Sequence, residues 1–447
     1  MSIDFVILAA GNGNRMNSRL PKPFHEIAGK PMIRHIIDMC SSVKSNIYHN
    51  NRIIVVTKDE YKGSSLFNDV IVSIQKEQLG TGNAVSSSLN HIENKHVVIL
   101  CSDMPLLTNS IIEDLIDSIN NFDISFIAMK LKDDMMKMPY GRIILDNNKN
   151  FEKIVEYKDA NENERLSQFA NSGIYIIKKD VLSNLLPSIN TNNSQNEFYF
   201  TDILNIAKNN GNTINVIISD DYDSFHGINN MKDLAYAERI IQNRLRDKFL
   251  SNGVKIIDPE SVYFSMSTYI ENDVTIEPNV IFKGEVSIKS GSIIKSFSYI
   301  EDSNIENNVK IGPFARIRGN VHMNESSEIG NFVEIKGSKI GTKTKIKHLS
   351  YIGDSNIGKN VNIGAGTITC NYDGIKKHKT NIEDNVFIGS NCSLIAPINI
   401  QYDSIVGAGS VITKDVPPRS LSISRIKQEN IEEKANYIKE KIKNRSL

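Results

Sequence analysis

From Val254 to Ile423 the sequence keeps a six-residue beat that few folds can satisfy. Aliphatic residues recur at Ile305, Ile311-Gly312, Ile329-Gly330, Ile340-Gly341, Ile346, Ile352-Gly353, Ile357-Gly358 and Ile363-Gly364. Ile382, Ile388-Gly389, Ile400 and Val406-Gly407 continue the series. A period held that long marks hexapeptide repeats wound into a parallel β-helix, with aliphatics stacked inside and small residues at the corners. The span holds about nine or ten coils of about 18 residues each.

Ahead of this prism the texture is different. Up to about Asn230, short apolar strands (Phe5 to Ala10, Arg52 to Thr57, Val97 to Cys101) alternate with helical stretches such as Ile33 to Ser42. That alternation predicts a mostly parallel sheet covered by helices, with ligands beyond the carboxyl ends of its strands. Gly11-Asn12-Gly13 and Ser102-Asp103 then fall on the same rim. Met231 to Leu250 has apolar residues every three or four positions and neither Gly nor Pro, so it reads as a linking helix. Domains are therefore expected at 1–229 and 251–447, joined by a helix over 230–250. The lysine- and glutamate-rich stretch from Ile426 to Leu447 reads as a solvated helix or frayed tail.

Composition narrows the function classes. Fifty-two basic residues balance fifty-two acidic ones, so no general attraction to nucleic acid or an anionic membrane exists, and any anion site must be built locally. Cys40, Cys101, Cys370 and Cys392 lie far apart with no zinc-ligand spacing, which suits a reducing compartment. Met1-Ser2-Ile3-Asp4 has no signal-peptide character, and no apolar run approaches the roughly 20 residues that span a bilayer. A cytoplasmic protein without membrane insertion is expected.

Leu8-Ala9-Ala10-Gly11-Asn12-Gly13-Asn14-Arg15-Met16, followed by Leu20-Pro21-Lys22-Pro23, carries the most chemistry. Small residues after a strand let backbone N–H groups approach a ligand, and Arg15 and Lys22 add fixed positive charge. A nucleoside triphosphate attacked at its α-phosphate needs that combination. The spacing fits neither the dinucleotide fingerprint nor a P-loop. This stretch resembles the sugar-nucleotidyltransferase signature, with Asn14 where Thr is usual. Gln75, Gln78 to Ala84, Cys101-Ser102-Asp103-Met104-Pro105, Tyr140-Gly141-Arg142, Val155 to Asp159, Asn171-Ser172-Gly173 and Gly227 to Asn230 follow in that family's order.

Over its whole length the chain resembles the bifunctional N-acetylglucosamine-1-phosphate uridyltransferase/glucosamine-1-phosphate acetyltransferase family. The resemblance implies a Rossmann-like nucleotidyltransferase domain followed by a left-handed parallel β-helix. It also implies that Leu8, Ala9, Ala10, Gly11, Gln75, Gly80 and Thr81 hold the uridine moiety of UTP, and that Lys22 and Arg15 serve the phosphates. Asp103 and Asn229 would share Mg²⁺, a normal pair of oxygen donors for that ion. Gly141, Glu156 and Asn171 would hold N-acetylglucosamine-1-phosphate. Cys101 and Ser102 stand beside Asp103 where Tyr-Gly is usual, and would line the substrate site. The attacking sugar phosphate is already an anion, so no general base is needed there.

In the β-helix, polar residues interrupt the repeat at intervals of about one coil: Arg318, Glu334 to Lys336, Lys347-His348-Leu349-Ser350-Tyr351, and Asn362. Stacked coils should gather Arg318, Lys336 and His348 in one column, where two cations grip a sugar phosphate and an imidazole takes a proton from an attacking amine. Thr367 to Gly374 breaks the hexad and should protrude as a loop. By the same resemblance, Arg318, Lys336, Tyr351 and Asn362 would bind glucosamine-1-phosphate. Ala365, Asn371, Tyr372, Ser390, Ala408 and Arg425 would face acetyl-CoA, with Asn371 and Tyr372 on its acetyl side. His348 would be the general base and the assembly a homotrimer. The alternative is a nucleotidyltransferase whose β-helix only trimerises, a role that has no use for Lys347 to Tyr351 or the Asn371 loop.

Overall fold

The computed structural model describes residues 2–44 and 50–445; the very first residue and the last two of the tail lie outside the described residues. Contacts divide the chain into two compact units, one ending at Arg244 and the other beginning at Leu245. The division falls within the helix Met231–Ser251.

The first unit is built on a twisted sheet. Its strands are β1 (Ser2–Leu8), β2 (Asn50–Thr57), β3 (Ile71–Ile74), β4 (His96–Cys101), β5 (Ile124–Lys130), β6 (Arg142–Leu145), β7 (Phe151–Val155), β8 (Phe169–Lys178) and β9 (Ile214–Ser219). The main path runs β9-β5-β8-β4-β1-β2-β3, with β6 and β7 attached through β8. The β4-β1-β2-β3 block is parallel, because each of these strands is near-continuously apolar and returns through a helix. On the main path only β8 runs against its neighbours, β4 and β5, and the attached β6 is antiparallel to both β8 and β7. Helices Met32–Ser42 and Asn109–Ser118 cover one face, and Ile33, Ile36, Ile37, Ile112, Leu115 and Ile116 are fully or almost fully buried there. The carboxyl ends of β1 and β4 lie side by side, Leu8 pairing with Cys101. The rim expected from the sequence is therefore formed where two adjacent strands stop together.

The second unit is the expected parallel β-helix. One face is a ladder of ten short strands among the described residues, and the other two faces form a fourteen-stranded sheet. Every aliphatic residue of the hexad series points inward and is buried. Successive coils pair in parallel after 17 or 18 positions through most of the prism, as in Lys310↔Glu328 and Lys345↔Asn362. One coil is much longer than the rest: Asn362 pairs with Phe387, 25 positions on. The extra residues emerge between Cys370 and Thr380, whereas Thr367 to Cys370, expected to protrude with them, stay in the coil, Ile368–Cys370 pairing with Ser393–Ile395.

The corners depart from the small-residue expectation. Asn279, Asn308, Asn360, Asn385 and Asn391 take positive φ there, as Asn does readily, but so do Phe297, Phe314, Phe332 and Leu349. A bulky residue in that region costs about 1–2 kcal/mol. The three phenylalanines offset part of it by stacking, with ring centroids 4.9 and 5.1 Å apart. At the far end a ten-residue helix, Lys434–Lys443, is exposed on all sides, as the tail reading expects for these residues.

Candidate functional sites

In the first unit a cavity of about 300 Å³ opens at the β1/β4 rim. Leu8, Ala9, Ala10, Gly11, Lys22, Gln75, Gly80, Thr81, Cys101, Ser102 and Asp103 all line it. The turn after β1 is held by Ser102 N–H donating to Leu8 O at 3.0 Å and Ala9 N–H donating to Val56 O at 2.8 Å.

Four charged or polar side chains converge at its edge. Lys22 Nζ stands 2.6 Å from Asp103 Oδ2 and donates to Asn229 Oδ1 at 3.2 Å. Arg15 donates to the same Asn229 oxygen at 2.9 Å. Asn229 is fixed from behind: its backbone N–H donates to Asp233 at 2.8 Å, and Ile228 N–H donates to Asp103 O at 2.9 Å. Asp103 and Asn229 thus present two oxygens to one cation, which is the donor chemistry a hard divalent ion takes. Among the described residues no cluster of three or more His, Cys, Asp or Glu could hold a metal. Burial, with Asp103 next in effect, pushes the Cys101 thiol up to about 12, so it stays protonated in this site.

Gln75 is almost wholly buried, and its amide N–H groups donate to Gly80 O at 3.2 Å and Asn83 Oδ1 at 2.8 Å. That leaves its carbonyl oxygen as the acceptor on the cavity wall. Gly80 has φ +115°, and a Cβ there would come within 2.6 Å of Phe198 O and 2.8 Å of Phe198 N. This close approach zips Leu79–Gly82 to the segment at Phe198, with Phe198 N–H donating to Leu79 O and Gly82 N–H to Phe198 O, both at 2.8 Å. Thr81 joins by accepting Phe200 N–H at 3.0 Å. Gly80→Ala is expected to destabilise this unit by at least about 2 kcal/mol. Thermal melting measures it, and an unshifted melt would remove the glycine requirement.

Gly141, Glu156 and Asn171 form a separate group. A Cβ on Gly141 would lie 3.4 Å from both Glu156 oxygens, and Asn171 N–H donates to Gly141 O at 2.9 Å. Burial holds the Glu156 carboxyl above its ordinary range, although Thr201 donates to it at 2.9 Å. Glu197 also lines the cavity, and nothing in the sequence pointed to it. It arrives there because Phe198 is zipped to Leu79 and Gly82, a backbone pairing with no motif.

In the β-helix the single-column expectation is corrected. Arg318 pairs with Lys336, and Lys336 with Gly353, so the two cations do stack. His348 belongs to another column: it pairs with Asn331 at the preceding corner, before the strand Tyr351–Gly353. The repeat count hides this because a corner falls between the two positions. Below His348 the same corner continues through Ala365, Ser390, Ala408 and Arg425. Gly366 N–H donates to His348 O, Asn391 N–H to Ala365 O at 2.7 Å, Gly409 N–H to Ser390 O at 2.8 Å, and Arg425 to Ala408 O at 2.7 Å.

His348 is exposed, and its Nδ1 donates to Asn331 Oδ1 at 2.7 Å, leaving the Nε2 lone pair outward. At the other end of the Tyr351–Gly353 strand, Lys377 crowds Lys336 and holds its ammonium below the ordinary lysine range, with Arg318 adding to the effect. Sequence reading missed Lys377, whose signal was the Lys376-Lys377 pair on the returning side of the loop. Arg318 is steadied by Glu334 at 2.7 Å, and Asn371 donates to Asp354 at 2.5 Å. Tyr351 folds over Gly353, where a Cβ would meet its hydroxyl at 2.5 Å. Asn362 lies in the Lys345 and Phe387 column of the first face, and Tyr372 is exposed on the loop.

A cavity ringed by Lys22, Asp103, Arg15 and Asn229 at a strand rim on one unit and a polar-studded hexapeptide prism on the other suit a nucleotidyltransferase joined to an acyltransferase. The family model for a MobA-like NTP transferase domain matches residues 5–170. Models for the bacterial transferase hexapeptide and the hexapeptide repeat of succinyl-transferase match 302–337 and 379–414. "Bifunctional protein GlmU" of Campylobacter fetus is 39% identical over 445 residues, covering 97% of each chain. The proteins of that name from Clostridium botulinum and Oceanobacillus iheyensis are also 39% identical, over 447 and 461 residues, covering 96% of both chains in the first case and 97% of this chain and 98% of the relative in the second. The chain belongs to this GlmU family of bifunctional uridyltransferase/acetyltransferase enzymes. Its substrates are small molecules, and among the described residues no helix is long and apolar enough to cross a membrane.

Proposed function

We propose that residues 251–447 acetylate glucosamine-1-phosphate with acetyl-CoA, and that residues 1–229 then couple the product to UTP with Mg²⁺, releasing pyrophosphate. The helix over 230–250 links the two. The observation that carries the reading is the meeting of Arg15, Lys22, Asp103 and Asn229 at one cavity edge.

For uridylyl transfer, the carbonyl oxygen of Gln75 accepts the N3–H of uracil, a donor that cytosine lacks. Lys22 and Arg15 draw the triphosphate to the rim, and the Gly11 turn offers backbone N–H groups. An oxygen of the sugar phosphate attacks the α-phosphorus, the bond to the β-phosphate oxygen breaks, and pyrophosphate leaves. Mg²⁺ held by Asp103 and Asn229 would supply charge neutralisation for this step. Gly141, Glu156 and Asn171 orient the N-acetylglucosamine moiety.

For acetyl transfer, the acceptor lies along the outward face of Tyr351–Gly353, a span of about 10 Å. Arg318 and Lys336, with Lys377 added, take the phosphate at the Gly353 end. The amine reaches His348 at the other end, where Nε2 accepts its proton as nitrogen attacks the thioester carbon and coenzyme A thiolate departs. Acetyl-CoA follows the Ala365, Ser390, Ala408 and Arg425 corner, with Asn371 and Tyr372 on its acetyl side. A homotrimer in the cytoplasm fits the family. Incubating the chain with glucosamine-1-phosphate, acetyl-CoA, UTP and Mg²⁺ should yield the acetylated sugar phosphate first and the UDP-sugar second by mass spectrometry. Nucleotide-sugar formation with no acetylated intermediate would reduce the β-helix to a scaffold.

A further inference from the structure

Lys22 stands where a metal ion would have to go. Its ammonium makes hydrogen bonds with both oxygens assigned above to Mg²⁺, at 2.6 Å to Asp103 and 3.2 Å to Asn229. Asn229 Oδ1 already accepts from both Arg15 and Lys22, and a divalent cation brought to it and to Asp103 Oδ2 would stand against the ammonium, like charge to like. The lysine is held in place: its side chain is only 16% exposed, and Gly13, at φ +63°, lies so close that a Cβ there would come within 2.8 Å of Lys22 Cβ. Arg15 touches Asn229 but forms no hydrogen bond or ion pair with Asp103 among the described residues.

We propose that Lys22 is a resident cation that keeps Asp103 and Asn229 assembled in the free enzyme and releases them only when a nucleotide phosphate takes its ammonium. The proposal rests on the reading of these two residues as metal ligands. Each group keeps an oppositely charged partner through the exchange. The carboxylate trades an ammonium for a divalent ion, while the ammonium trades a carboxylate for a phosphate, its other strong anionic partner. Two consequences follow. The nucleotide-free enzyme binds divalent metal weakly, and the metal enters with the nucleotide. The ligand oxygens are already in register when it does, so little reorganisation remains at the moment of binding.

The test is titration of Mn²⁺ into the ligand-free full-length chain, with unbound Mn²⁺ read by electron paramagnetic resonance. Lys22→Met should tighten Mn²⁺ binding at least about tenfold over the native chain, about 1.4 kcal/mol. Arg15→Met should tighten it less than Lys22→Met does, since that arginine engages Asn229 alone. Adding Asp103→Asn to Lys22→Met should erase the gain. Lys22→Gln serves as a second neutral variant, and a thermal melt and far-ultraviolet circular dichroism matching the native chain report that the first unit is folded. Folded Lys22→Met and Lys22→Gln chains that bind Mn²⁺ no more tightly than the native one would overturn the exchange, as would a gain that survives Asp103→Asn. Uridylyl transfer by Asp103→Asn alone separates the two readings. Its retention would remove the metal assignment itself, whereas its loss beside an unchanged Lys22→Met affinity would remove only the exchange.

Discussion

Asp103→Asn is expected to slow uridylyl transfer by about 10²–10³-fold or more, the loss typical when one group stabilising transition-state charge is removed. The substitution keeps the side-chain shape but replaces an anionic oxygen with an amide. It therefore removes the partner of Lys22 and one of two cation-facing oxygens without opening a cavity. Backbone contacts should survive, since Ile228 N–H bonds to the main-chain oxygen of Asp103. Pyrophosphate release from UTP and N-acetylglucosamine-1-phosphate is the measurement, with acetyl transfer as the internal control. Unchanged pyrophosphate release would take Asp103 out of the chemistry.

His348→Ala should do the reverse, lowering acetyl transfer by about 10²–10⁴-fold, the range for a lost general base. The imidazole is exposed at a corner and touches Asn331 rather than the interior, so its removal should leave the coil stack intact. Thiol release from acetyl-CoA reads the loss, and uridylyl transfer should remain within about twofold. Asn331→Leu should give a smaller defect of about tenfold in kcat, because the ring keeps its chemistry but loses the acceptor that orients it. Equal loss of both activities in His348→Ala would show that the two sites are not separate.

Sequence alone made most of the architecture legible. The hexad aliphatics are all buried as the period required, and the rim at Gly11 and Asp103 followed from where apolar runs stop. What stayed hidden was of two kinds. Glu197 and Lys377 enter through backbone pairing and a loop's return path, which leave no periodic trace. The separation of His348 from Arg318 and Lys336 escaped because counting coils tells how high a residue sits, not which side of a bend it occupies. Phe297, Phe314 and Phe332 escaped for a related reason: propensity forbids such side chains at positive φ, and only the stacked neighbours make them tolerable.

The one overlong coil has an implication for how such a protein can change. Asn362 and Ile363 meet Phe387 and Ile388 in the same register their shorter neighbours use, so the surplus residues add nothing to the rise of the prism. The loop's side chains are thereby freed from the repeat that builds the prism. Rewriting the tip from Asn371 to Lys377 could alter which acceptor is recognised while the scaffold beneath neither lengthens nor shifts, leaving this enzyme open to new specificities without a new fold.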